Sequence, residues 1–155
     1  MAKFKFSLET VLKVDKLRKK QVKTEFARAQ EYLARQHKVL SDMHEEMSLI
    51  AADMTSMAIK GATVNSIKMY ADYTQVLRQR IRQQEQIVKR AEKQVEEIME
   101  RLVSLMKKTN VLSQLKEKQY RDYIAELEKK QQKAIDEFTG FKLFQQGGAL
   151  DGQAE

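Results

Sequence analysis

Two histidines, His37 and His44, are the residues best suited to bind a metal. They stand seven apart on one predicted helix, with no third ligand near them, so they read as surface histidines. The acid–base candidates are the carboxylates Glu96, Glu97 and Glu100, and the pair Asp136 and Glu137. Placed on helices, these read as solvated faces. The chain has no Cys, so it carries no thiolate ligand and no thiol nucleophile. It contains no GxxxxGK[ST] loop, no GxSxG and no HExxH. These residues give no catalytic, metal or cofactor site, and the chain reads as a non-enzyme. Its chemistry must lie in surfaces that bind.

The first such surface is electrostatic. The net charge is +7. Residues 1–40 hold eleven Lys or Arg against four Asp or Glu, and residues 41–155 hold eighteen of each. The excess therefore sits in the first quarter, on Lys13, Lys16, Arg18, Lys19, Lys20 and Lys23. Such a patch seeks an acidic partner, which can be a protein, a nucleic acid or an anionic lipid surface.

The element that carries this patch is set by periodicity. From Leu12, every seventh residue gives Leu12, Lys19, Phe26, Leu33, Leu40, Met47 and Met54. Three further on come Asp15, Val22, Ala29, Gln36, Met43, Ile50 and Met57. Eleven of these fourteen are apolar, which is a heptad seam. After residue 66 the same spacing returns. Ile67, Thr74, Ile81, Val88, Val95 and Leu102 form one row, and Tyr70, Leu77, Gln84, Ala91, Ile98, Leu105 and Leu112 the other.

Gly61 separates the two seams. It is the only glycine before Gly140, in a chain with no proline. Glycine suits the left-handed conformation that commonly ends a helix. Thr63, Asn65 or Ser66 can cap the next one, and Ser7 the first. A short connection makes the helices antiparallel. The expected fold is all-α: two long helices in an antiparallel coiled-coil hairpin, a single domain over 1–155. Helix 1 is expected over about 7–58, the tip over 59–65, helix 2 over about 66–139, and a disordered tail over 145–155. Such an antiparallel rod supplies no deep pocket.

The arms are unequal. At about 1.5 Å per residue the first helix spans roughly 78 Å and the second roughly 110 Å. Folding about the tip puts Leu8 near Lys116, and past that point helix 2 is expected to have no cover from its own chain. A new apolar stripe begins there: Tyr120, Ile124, Leu127, Gln131, Ala134, Phe138 and Phe141. The change of row amounts to four inserted residues, a stutter. A coherent apolar face without cover reads as a partner-binding helix. Near the tip, Tyr73 lies one residue before a seam position, beside several methionines, and reads as a partly exposed hot spot. No run of 18 apolar residues exists to span a membrane, and "MAKFKFSLET" lacks the apolar stretch of a signal peptide.

Three stretches carry a resemblance. "FKFSLETVLKV" is similar to the opening of the FliJ family of flagellar export proteins. "YADYTQVLRQRI" resembles the family's segment past the tip, and "KKQQKAIDEF" its C-terminal signature. The resemblance covers nearly the whole chain. It implies a coiled coil similar to the central stalk of rotary ATPases, without cofactors. It implies three partners: the hexameric export ATPase, the cytoplasmic domain of the export-gate membrane protein, and export chaperones. The implied location is cytoplasmic, peripheral at the inner membrane. By position, Tyr73 and Leu77 match the family's gate-binding aromatic and leucine. Arg80 and Gln84 stand at further contact positions, where the residue types differ. The termini-bearing end would enter the ATPase ring, with Ile124, Leu127 and Phe138 as apolar contacts. The basic residues from Lys13 to Lys23 would meet an acidic collar.

Besides a homodimeric coiled-coil scaffold with no specific client, two other readings fit the same residues. One is the stalk of a non-flagellar type III system. The other is a coiled coil whose basic arm binds nucleic acid or a membrane surface, with Phe4 and Phe6 anchored in lipid.

Overall fold

The computed structural model of the protein describes residues 3–148. They form two helices, α1 over Glu9–Lys60 and α2 over Val64–Gly148, and no strand occurs among the described residues. The helices pack against each other as the antiparallel coiled-coil hairpin that the heptads predict. Long runs of Lys, Glu, Gln, Ala, Leu and Met favour helix intrinsically, and no proline interrupts them.

The turn is built on Gly61, whose φ is 83°. The Ala62 N–H donates to the Met57 carbonyl oxygen at 3.0 Å, the bond that closes a Schellman end. Lys60 in the last turn of α1 complements the helix dipole. Thr63 then opens α2: its Oγ1 accepts from the Ser66 N–H at 3.4 Å and lies 2.8 Å from Ser66 Oγ. Of the three candidate caps, Thr63 takes the position.

The element bounds depart from expectation at three points. Helix α1 starts at Glu9 rather than Ser7, because the backbone itself makes the first turn. The Glu9 N–H donates to Phe6 O at 3.2 Å, and the Leu12 N–H to Leu8 O at 2.9 Å. The connection is shorter than expected, spanning only residues 61–63. Helix α2 runs through Gly140 to Gly148 instead of stopping near 139. A helical glycine costs only about 1 kcal/mol relative to alanine, and the residues around Gly140 sustain the helix. Thr139 Oγ1 bonds Ile135 O at 2.8 Å, and Lys142 Nζ sits over the Phe138 ring, 5.1 Å from its centroid. The tail expected over 145–155 therefore begins as helix, and its part beyond Gly148 lies outside the described residues.

The chain divides into two compact units. The unit Lys16–Met106 holds the turn and most of the seam. Every seam position named above that falls in this unit is buried or half-buried except Ile67, beside the turn. One cluster gathers Val22, Ile98 and Leu102, with Phe26, Ala29 and Leu105 against them. Another gathers Ile50, Leu77 and Ile81, with Leu40, Met43, Met47, Met54 and Tyr70. Between these clusters Gln84 Nε2 donates to Gln36 O at 3.1 Å and to Gln36 Oε1 at 2.8 Å. Such a polar layer fixes register, because a slipped pairing would strand buried amides.

The second unit joins Met1–Asp15 to Lys107–Glu155. Leu12 and Asp15 are almost fully buried here. Lys108 Nζ lies 3.0 Å from Asp15 Oδ2, an ion pair, and Lys116 Nζ meets Glu9 Oε2 at 2.7 Å. The segment before α1 is not helical. It carries Phe4 against Tyr120 and Tyr123, with ring centroids 5.3 and 5.6 Å apart, and it buries Phe6.

Candidate interaction surfaces

The tip-side face combines residues of both helices. Tyr73 is 41% exposed and its hydroxyl donates to Glu46 Oε1 across the hairpin. That bond to a carboxylate raises the Tyr73 phenol above its usual value; desolvation adds to the rise and Arg80 opposes it. Met69 and Val76 lie exposed at helical spacing from Tyr73, and Arg80 continues the row. The other two residues expected here are not on the surface. Leu77 is 2% exposed at the centre of its cluster, and Gln84 is buried against Gln36. The reason lies in the seam: both occupy heptad positions and fill the interhelical core. The sequence reading missed Glu46, which has no signal of its own until the hairpin brings it beside Tyr73.

The basic residues Lys13, Lys16, Arg18, Lys20 and Lys23 are exposed, whereas Lys19 is half-buried at its seam position. Arg101 Nη2 pairs with Glu25 Oε2 at 3.2 Å, and His37 Nε2 lies 3.5 Å from Glu92 Oε1. Among the described residues no group of three His, Cys, Asp or Glu is placed to hold a metal ion.

The C-terminal stripe was expected to be uncovered from about residue 120. Its base is partly covered: Tyr120 is exposed, but the next two stripe residues are not. Ile124 and Leu127 are half-buried, as is Tyr123, one of the two tyrosines that meet Phe4. The non-helical segment before α1 places Phe4 against Tyr120 and Tyr123. Phe4 and Phe6, weighed above as lipid anchors, are instead engaged by their own chain. From Glu128 onward every side chain described is exposed. Ile135, Phe138, Phe141, Leu143 and Phe144 are between 58% and 81% exposed. Ala134, Phe138 and Phe141 form one face. Behind it, Gln132 Nε2 bonds Asp136 Oδ1 at 2.9 Å on the polar side.

Fold and surfaces together define an all-α coiled-coil hairpin whose exposed faces are suited to binding. Residues 4–148 match the family model described as Flagellar FliJ protein, and the chain belongs to the FliJ family. It is accordingly a flagellar type III export component from a non-catalytic family. No curated protein and no solved structure matches the chain.

Proposed function

We propose that this protein is the non-enzymatic stalk and escort of the flagellar export apparatus, linking the hexameric export ATPase to the cytoplasmic domain of the membrane export gate. The exposed stripe on α2 after Glu128 carries the reading. It is an apolar helical face left in water, which is a liability unless a partner covers it. A ring lumen supplies such cover. The lysines of α1 supply rim charges for an acidic collar. Tyr73 and Arg80, with Met69 and Val76, supply the gate-binding face. In this reading the protein also escorts export chaperones, and it works in the cytoplasm at the inner-membrane face. No helix among the described residues is long and apolar enough to cross a membrane.

The test is the rate of the export ATPase against concentration of this protein. Phe138→Asp with Phe141→Asp should abolish stimulation while leaving helicity intact, since neither side chain packs in the hairpin. Stimulation equal to wild type would remove the stripe from the ring-entering role. Binding of the wild type to anionic vesicles or DNA, without stimulation, would favour the basic-arm reading instead.

A further inference from the structure

The exposed stripe also has the makings of a self-complementary seam. Gln131 and Phe138 occupy one core row, and Leu127, Ala134 and Phe141 the other. Each row is flanked by two charges and one apolar residue. Glu128, Ile135 and Lys142 border one side, and Lys130, Glu137 and Phe144 the other. Lys142 already lies along the stripe, with its Nζ over Phe138. From Lys118 to Phe144 the helix carries six Lys or Arg and five Asp or Glu. Near-neutrality of this kind gives little attraction to an anionic lipid surface or to nucleic acid. It fits a partner of equally mixed charge.

The sequence flanking the rows discriminates between ways of pairing two copies. In an antiparallel pair, setting Ala134 opposite Phe138 of the second copy gains Glu128 with Lys142 but brings the two Glu137 side chains together. Moving the register by one heptad gains Lys130 with Glu137 but sets Arg121 against Lys142. In a parallel, in-register pair, Glu137 of each copy meets Lys142 of the other, five residues on, and no like charges face each other. Gln131 then meets Gln131, a polar layer of the kind that fixes register. We infer that α2 beyond Leu127 pairs in parallel with a second copy of this chain, through Gln131, Ala134, Phe138 and Phe141. The pairing buries Phe138 and Phe141, the same side chains that the proposed function sends into the ATPase ring, so the dimer is an alternative state of this face, exclusive of ring entry and independent of it.

The seam spans under three heptads, so the pairing is weak and concentration-dependent. The absence of native Cys makes orientation directly measurable. Ala134→Cys should form a disulfide-linked dimer of the full chain under mild oxidation, since parallel pairing sets the two positions side by side. Sedimentation equilibrium should show a monomer–dimer association that Glu137→Lys weakens about tenfold. The double variant Glu137→Lys with Lys142→Glu restores the attraction and should recover the wild-type constant. Failure of recovery would overturn the charge register. Efficient cross-linking only between Ala134→Cys and Phe138→Cys chains would make the pair antiparallel and refute the proposal. A strictly monomeric wild type at every concentration, without cross-linking, would remove the seam altogether.

Discussion

Tyr73 and Leu77 sit four residues apart, yet their fates differ. The heptad rows had already placed Leu77 inside and Tyr73 one step off, so the burial of both was legible. The resemblance paired them as surface contacts, and the packing of Leu77 against Ile50 and Ile81 separates them. What no pattern showed was the bond from Tyr73 to Glu46, which needs the two helices in register. That bond has a pH signature. A phenol whose value is raised in the folded chain contributes stability that is intact below its ordinary value of 10.0. The contribution is lost as pH rises through the raised value. Tyr73→Phe should therefore lose less stability than wild type on going from pH 9 to about pH 11, measured by thermal unfolding at each pH. Coincident profiles would show that the bond does not persist in solution.

At the scale of the element, two glycines in helical surroundings do opposite things. Gly61 holds φ at 83°, and a Cβ there meets no atom within 4 Å, so the penalty for a side chain is purely conformational. Gly61→Ala should cost about 1–2 kcal/mol of stability, read from denaturant unfolding. Gly140 lies within α2 with equally open surroundings. Gly140→Ala should instead raise helicity and stabilise its segment by up to about 1 kcal/mol. Equal effects at the two sites would contradict the turn geometry. The role of Gly61 was readable because it stood alone between two seams. Gly140 misled the reading because a breaker by composition is not a breaker when its neighbours continue the helix. The contact of Phe4 with Tyr120 was illegible for another reason: it comes from a segment with no period at all.

For the whole molecule, the excess positive charge of the first forty residues is its one long-range signature. Lys20→Glu with Lys23→Glu alters two exposed side chains and no seam position. If α1 meets an acidic collar, these changes should slow association with the ATPase about tenfold and flatten its salt dependence, with little change in dissociation. Stopped-flow mixing at several ionic strengths reads both quantities. An unchanged association rate would remove these lysines from the interface.

The turn at Gly61 also prescribes an order of assembly. Glu46 and Tyr73 are 27 residues apart along the chain, Gln36 and Gln84 are 48 apart, and Glu25 and Arg101 are 76 apart. Formed independently, each would pay a loop-closure entropy that grows with the logarithm of its span. Formed in sequence from the turn, each inherits the closure of the one before and pays only for the few residues between them. Long-range contacts thereby become local ones. Closure of the unit Lys16–Met106 is therefore expected to proceed by zippering away from Gly61, each pair closing only a short additional loop.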